Sequence, residues 1–388
     1  MKQFKTPQWP FFTNEEIKKV TDILKSGKVN YRNGTVSKLF EKNFSNFLKV
    51  KYAIGLFNGS IALETALRAI ELKKGDEVIV TPKSFIISAS IPILFGAKPV
   101  FADIDTNTLG LTLESIRSVF TKKTKAIIAV HLGGTPCDII NIKNFAKKNN
   151  IYLIEDCSQA HGAEINEGKV GSFGDAAIFS FCNDKIISTG GEGGIFVTNN
   201  KKIYNRAYEY KDHGKDINKI DKYESSYQYI HKTFGNNYRI TEIQSALGLI
   251  QLKKIKINLA NRKKLADGIY KIAEKYTNIF YIPKLNNAVK ISYYCCYLIL
   301  KLEKLNKGQN LSKIITAFRK TGIECSVGSC PELYKEKTFN KFISKNFTLK
   351  NAKYLSNRTL CLKINHNYDE RLRKKYLNIF ENVIKKIK

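Results

Sequence analysis

From Tyr52 to Thr198 the chain alternates between short apolar runs and stretches with helical spacing. YAIGLF (from Tyr52), EVIV (from Glu77), KPVFADI (from Lys98), KAIIAVH (from Lys125) and IYLIEDC (from Ile151) read as strands, and AAIFSF and GGIFVTN as two more. Between them, IALETALRAIEL, FIISASIPILFG, a stretch after Thr112 and IINIKNFAKKNN read as helices. Strands this apolar need cover on both faces, and parallel neighbours need helix-length crossovers. The pattern therefore predicts an α/β chain with a large, mostly parallel sheet between helical layers. Two amphipathic helices precede it. One starts after Thr13, with Thr13 and Glu16 as a capping box and Gly27 as a stop; the other covers Val36 to Leu48. The alternation ends near Asn200. A polar, Tyr-rich loop is expected from about Lys211 to Asn236, then a long helix from Thr241 to about Tyr276. Strands such as YYCCYLILKL and Lys-rich helices follow. The predicted division is a large domain over 13–250 and a smaller α+β domain over 251–388, with residues 1–30 packing on the second.

At 388 residues the chain is long enough to bury its core without staples. Lys and Arg number 65 against 34 Asp and Glu, a net charge of +31. Such a field attracts nucleic acid or anionic small molecules. The lysines are spread along the whole chain and not gathered in an arm, which favours the small molecules. The eight cysteines include no CxxC pair, Cys295 and Cys296 are neighbours, and there are five His. This argues for reduced thiols and against a zinc site. The N-terminus has no apolar signal core and no run reaches membrane-span length, so the expectation is a soluble, cytoplasmic protein with no membrane partner.

Four stretches carry candidate chemistry. In FSFCNDKIISTGGEGG a strand ends at Ser180, Lys185 follows in a loop, and a Gly-rich turn opens the next strand. Most lysines here are solvated, but one beyond the carboxyl end of a strand in an open α/β sheet lies where active sites form, and a desolvated Lys can act as a Schiff-base amine. The GGEGG run opens a strand, not a helix, which argues against a dinucleotide loop. In IYLIEDCSQAHGA a strand delivers Glu155 and Asp156 to its end. They read either as a turn cap or as a carboxylate facing a cationic ligand such as a protonated pyridine nitrogen. In FNGSIALETAL a strand meets Asn58, Gly59 and Ser60 and a helix starts at once. This is either a plain turn with Ser60 as cap or an anion site at a helix N-terminus. Phe85, in TPKSF, is either core or a stacking face for a flat cofactor.

NGSIALETAL, GDEVIVTPKSF, GAKPVFADID, EDCSQAHGA, FSFCNDKIISTGGEGG and GNNYRITEIQSALGLIQL occur in this order. In them the chain resembles the DegT/DnrJ/EryC1/StrS family of pyridoxal-phosphate-dependent sugar aminotransferases, from about Thr13 to at least Gln251. The resemblance implies the three-layer pyridoxal-phosphate-dependent transferase fold (fold type I), with pyridoxal 5′-phosphate as cofactor. It implies that Lys185 holds the cofactor covalently and later carries the proton. Asp156 would face the pyridine nitrogen, Gln159 the ring hydroxyl, and Phe85 the ring. Gly59, Ser60 and Ser180 would bind the phosphate, and Asn237 would reach it from the neighbouring subunit of a homodimer with shared active sites. L-glutamate (or glutamine) would donate and a nucleotide-linked keto-sugar would accept, feeding a surface polysaccharide or glycan. Relatives with His in place of the Lys act as dehydrases; this sequence keeps Lys185. The family often shows a Pro beside the His that is His366 here, which leaves substrate contacts in KINHNYDE open. SGKVNYRNG, FSFCNDKI and VGSCPELYKEK resemble a subgroup acting on UDP-linked 4-keto-6-deoxy-N-acetylhexosamines. In the first of these, Tyr31 and Arg32 are either pocket residues or ordinary turn residues. Three other readings stand beside this one: a small phosphorylated ketone as acceptor, a sugar dehydrase, and a non-catalytic nucleic-acid-binding relative.

Overall fold

The structure, a computed structural model, describes residues 3–166, 168–217, 231–283, 285, 288–344 and 346–387. Two helices come first, α1 (Asn14–Ser26) and α2 (Val36–Leu48). The alternating region runs β1 (Tyr52–Leu56), α3 (Gly59–Ala69), β2 (Glu77–Val80), α4 (Ile87–Leu94), β3 (Lys98–Phe101), α5 (Leu113–Arg117), β4 (Thr124–Val130), α6 (Ile139–Lys148), β5 (Tyr152–Asp156). A small hairpin, β6 (Glu164–Ile165) and β7 (Gly168–Lys169), precedes β8 (Ala176–Ser180), β9 (Gly194–Thr198) and α7 (Lys201–Lys211). The remainder is α8 (Glu242–Ala273), β10 (Phe280–Tyr281), β11 (Cys295–Leu300), α9 (Leu311–Lys320), β12 (Cys325–Ser326), α10 (Lys350–Ser356), β13 (Thr359–Lys363) and α11 (Glu370–Ile387).

The large sheet has seven strands in the order β1-β9-β8-β5-β4-β2-β3. All but β9 run in one direction; β9 is antiparallel to both of its neighbours. Residues alternate between two helix-covered faces. Ile54, Val78, Val80, Ile128 and Ile178 enter one core, while Ile79, Ile127, Leu153, Phe179 and Ile195 enter the cores on the opposite face. That period of two, with both faces apolar, makes this the three-layer architecture that the sequence predicts. Because β9 runs backwards, its first residue, Gly194, meets the last residues of β1 and β8 at one edge of the sheet.

The second sheet, β10-β11-β13-β12, is antiparallel. Cys296, Leu298, Leu360 and Leu362 face a core shared with α9, α11 and the C-terminal half of α8, which Phe4 also enters. Cys295, Tyr297 and Cys361 face the other way, into the core of the large sheet. α8 joins this small-sheet core to the core on the other face of the large sheet, which Leu249, Leu252 and Ile255 enter. Its buried Arg262 donates through Nη1 to the carbonyls of Tyr293 (3.1 Å), Tyr294 (3.3 Å) and Ile364 (2.9 Å), clamping the small sheet to the helix.

Local signals account for most element ends. Thr13 donates its backbone N–H to Glu16 Oε2 at 2.7 Å, and Gly27 ends α1 at φ 67°. Thr241 and Gln244 form the same box at the start of α8. Two expectations need correction. Asn58, not Ser60, caps α3, accepting from the Ile61 N–H at 2.9 Å. The alternation does not stop at Asn200: that residue caps a further helix, α7, whose Tyr-rich sequence packs on α3. The loop expected from Lys211 begins where α7 ends, and its residues 218–230 lie outside the described ones. Among the described residues no helix is long and apolar enough to cross a membrane.

Candidate active site

A cavity of about 800 Å³ opens where the carboxyl ends of β1, β2, β5 and β8 meet the small sheet. Its floor begins at the β1–α3 turn. Asn58, Gly59 and Ser60 line it at the positive end of the α3 dipole. A Cβ on Gly59 would lie 2.6 Å from the Ser180 Cβ, and one on Gly194 would lie 2.4 Å from the Asn58 carbonyl carbon. Only glycine at both positions lets the turn press onto the end of β8 and set Ser180 beside the helix N-terminus.

Glu155 and Asp156 are neighbours on β5 and point to opposite faces. Asp156 faces the cavity, accepting from the Ser88 hydroxyl and the Ser158 N–H, each at 3.1 Å. Glu155 is fully buried away from it. It accepts from the N–H groups of Gly171 (2.8 Å), Phe173 (2.8 Å) and Gly174 (2.7 Å), and its Oε2 lies 3.0 Å from His131 Nε2. Glu155, His131 and Cys157 form a buried cluster of metal-ligand types. Their atoms already serve one another and the backbone, since His131 Nδ1 accepts from the Cys137 N–H at 3.2 Å. Gln159 lines the cavity with its amide fixed at both ends. Its Oε1 accepts from the Gly133 N–H at 2.8 Å and its Nε2 donates to Ser329 Oγ at 3.3 Å.

Lys185 stands in the loop after β8 with its side chain 13% exposed. Its Nζ lies 3.7 Å from Asp184 Oδ1 and 4.9 Å from the centroid of the Tyr294 ring. Asp184 also accepts a short hydrogen bond from the Tyr294 hydroxyl, and the Cys182 thiol donates to it at 3.0 Å. Burial pushes Asp184 up, but the Lys185 charge and these hydrogen bonds outweigh it and hold the carboxyl below its usual range. Burial and the Asp184 charge push the Tyr294 phenol up, so it stays protonated and donates. The loop is pinned on both sides of the Lys. Trp9 Nε1 donates to the Lys185 carbonyl at 2.8 Å, and the Ser188 N–H donates to Gln251 Oε1 at 2.7 Å. Beneath it, His161 packs on Phe179 and Phe181 and is pushed down to about 3 by burial and the Lys185 charge.

The cavity therefore gathers Gly59, Ser60, Phe85, Asp156, Gln159, Ser180 and Lys185. Phe85 is 64% exposed, an aromatic face left open on the wall and not a core residue. Asn237 is not in this wall. It sits exposed on a loop bridged to Asp212, beside the chain that hydrogen-bonds Phe57. Tyr31 is corrected outright: it is buried, donates to Glu41 Oε2 at 3.0 Å and packs under the Lys211 amine, away from the cavity. Arg32 follows it in an exposed turn capped by Asn30 and does not line the cavity either. Sequence reasoning missed the outer wall, made of Thr6 to Trp9, Tyr294, Ser329, Lys363 and Asn365. Asn365 Nδ2 donates to the Pro7 carbonyl at 2.9 Å and Asn367 Nδ2 to that of Gln8 at 2.7 Å, tying the N-terminal segment over the site. His366 is buried against Trp9, with ring centroids 4.2 Å apart, and is not in the cavity wall.

Compared with known families, residues 10–375 match the DegT/DnrJ/EryC1/StrS aminotransferase family. The chain belongs to it. An aminotransferase from Psychrobacter cryohalolentis superposes with a TM-score of 0.95 at 38% identity, covering 98% of this chain and 99% of that one. Helicobacter pylori PseC, an aminotransferase involved in the biosynthesis of pseudoaminic acid, superposes with a TM-score of 0.87 at 26% identity, covering 99% and 100%. GDP-perosamine synthase of Escherichia coli O157:H7 is 38% identical over 262 residues, 68% of this chain and 69% of that protein. The chain is a fold-type-I, pyridoxal-phosphate-dependent aminotransferase. The residues present fit that cofactor: a helix N-terminus with a hydroxyl beside it suits a phosphate, a buried carboxylate suits a ring nitrogen, an open aromatic suits a flat ring, and a largely buried primary amine suits an aldehyde.

Proposed function

We propose that this aminotransferase moves an amino group from L-glutamate to a nucleotide-linked keto-deoxysugar. The observation that carries the reading is the Lys185 amine in one 800 Å³ cavity with Asp156, Ser180 and the α3 N-terminus. Pyridoxal phosphate, when bound, supplies an electron sink that makes the donor's Cα–H acidic. In this reading Lys185 Nζ would hold the cofactor and, once freed, would serve as the base that carries the proton of the donor's α-carbon. The Asp184 carboxylate and Tyr294 ring restrict the directions in which that amine can swing. Asp156, fixed by Ser88 and Ser158, would be the carboxylate that pairs with the ring nitrogen. Phe85 would stack on the ring, Gly59, Ser60 and Ser180 would hold the phosphate, and Gln159 would serve the ring hydroxyl. Retention of Lys185 favours transamination over dehydration.

The acceptor follows from the outer wall and the relatives. Ser326, Ser329, Lys363 and Asn365 present hydroxyl, amine and amide groups there, which suit a hydroxylated, anionic substrate. On the resemblance of SGKVNYRNG, FSFCNDKI and VGSCPELYKEK we assign a UDP-linked 4-keto-6-deoxy-N-acetylhexosamine. The similarity to GDP-perosamine synthase favours a second reading, a GDP-linked 4-keto sugar. The site is completed across a homodimer, with Asn237 serving the neighbouring cavity; its exposure outside its own cavity supports this. The test is a product assay with L-glutamate and each keto-sugar in turn. 2-Oxoglutarate and an amino sugar from the UDP-linked ketone are expected. Product from the GDP-linked ketone alone would overturn the assignment in favour of the second reading.

A further inference from the structure

Two contacts from outside the large sheet hold the Lys185 loop. The Tyr294 ring centroid lies 4.9 Å from Nζ, and the Tyr294 hydroxyl donates to Asp184, whose Oδ1 is 3.7 Å from Nζ. Trp9 donates to the Lys185 carbonyl at 2.8 Å, and its ring packs on His366 with centroids 4.2 Å apart. Tyr294 immediately precedes β11, and His366 follows shortly after β13. The pairing of these two strands ends at Cys295 and Lys363. The carbonyls of Tyr293, Tyr294 and Ile364 lie just past that pair, and all three accept from one nitrogen, Arg262 Nη1 on α8, at 3.1, 3.3 and 2.9 Å. Arg262 is fully buried, and its Nε and Nη2 have no hydrogen-bond partner. Burial pushes the guanidinium down to about 10, which leaves it a cation. A charge buried without an ionic partner is costly. Here its hydrogen bonds go to the two chain ends that carry Tyr294 and His366.

We propose, on the reading of Lys185 as the reacting amine, that Arg262 is a positioning residue: it fixes the direction of that amine without lining the cavity. It acts through two arms. In the first, Nη1 binds the Tyr294 carbonyl and sets where that residue stands over the loop, and the phenol then keeps Asp184 against Nζ. In the second, Nη1 binds the Ile364 carbonyl. The next residue, Asn365, ties the Pro7 carbonyl, and the one after it, His366, backs Trp9. One nitrogen thus couples the side-chain hold and the main-chain hold on Lys185. A guanidinium is a rigid planar fork, so the three carbonyls meet at a defined point; a Lys ammonium keeps the charge but is a point donor on a flexible stem and does not define that point. Displacing a reacting group by about 1 Å costs up to about 10²-fold in rate. Loosening the amine through supports one step removed should cost less, about tenfold.

The experiment mixes Arg262→Lys, loaded with pyridoxal phosphate, with L-glutamate in a stopped-flow spectrometer. The limiting rate at which the visible band bleaches should fall about tenfold, while the glutamate concentration at half-saturation stays within about twofold of wild type. Tyr294→Phe added to Arg262→Lys should cost nothing further, because that arm is already loose; effects that multiply would overturn the proposal. Lysines of the full chain freed of cofactor are then labelled with trinitrobenzenesulfonate and mapped by mass spectrometry. Lys185 should label about tenfold faster in Arg262→Lys than in wild type, while Lys211, fully buried away from the cavity, stays protected. Unchanged labelling of Lys185, or faster labelling of both lysines through general loosening, would overturn the proposal. Should Arg262→Lys fail to fold, Trp9→Phe combined with Tyr294→Phe removes both arms and leaves the guanidinium in place. Bleaching about tenfold slower is then expected, and a rate within about twofold of wild type would overturn the proposal. Labelling needs no turnover, so its failure is distinct from failure of Lys185 as the reacting amine, which Lys185→Ala tests.

Discussion

The floor of the cavity and its outer wall are built on different terms. The floor is the edge of a single sheet: Gly59, Asp156, Ser180 and Lys185 each lie within a few residues of a strand end, and their neighbours in sequence are their neighbours in space. The outer wall is assembled from residues 6–9 and, far along the chain, from β11 and residues 326–329 and 363–365, separate segments that meet only after folding. A floor set by strand ends holds these four residues in the register of one sheet. A wall held by long-range contacts, such as Asn365 to Pro7, is where substrate choice can vary without disturbing that register.

If this contrast holds, floor substitutions should cost far more than wall substitutions. Lys185→Ala should have the largest effect, a loss of about 10⁴-fold or more in 2-oxoglutarate release, because both nucleophile and base are removed. Asp156→Asn comes next. A charge pair at roughly 4 Å and an effective dielectric of about 20 is worth about 4 kcal/mol, so kcat should fall by about 10³-fold. Gly59→Ala forces a methyl group onto Ser180 and should weaken cofactor retention by about tenfold, roughly 1.4 kcal/mol, read by equilibrium dialysis. Glu155→Gln sharpens the comparison within β5. It should lower stability by about 2 kcal/mol in urea denaturation, since the buried oxygen that accepts from the Gly171 N–H becomes an NH2 donor facing another donor, while kcat of the folded fraction changes little. Tyr294→Phe, on the wall, should be smallest, a fall of about threefold in kcat, in line with one lost hydrogen bond of about 0.5–1 kcal/mol. A Tyr294→Phe loss as large as that of Asp156→Asn would break the contrast.

The same difference decides what could be read from sequence. Strand runs and helix caps are local, so β1 to β5, β8, β9 and the Thr13 and Thr241 boxes were legible. Lys185, Asp156 and the Asn58–Ser60 turn were legible for the same reason: a strand end is a local signal. α7 was not, because its Tyr and Lys residues lack the strong apolar stripe that marks a helix, and it is the packing on α3 that stabilises it. Tyr31 was misjudged because nothing in SGKVNYRNG announces that Glu41 and Lys211 close over it. The roles of Trp9 and Arg262 rest on contacts 176 and up to 102 residues away, which no local pattern encodes.

The most direct measurement is the visible absorption spectrum of the purified protein before and after L-glutamate, beside the Lys185→Ala variant. The wild type should be yellow with bound pyridoxal phosphate, and glutamate should bleach the band with release of 2-oxoglutarate; Lys185→Ala should show no such conversion. A wild-type band that glutamate leaves unchanged, or a variant that bleaches as fast as the wild type, would contradict the assignment of Lys185 as the amine that carries the reaction.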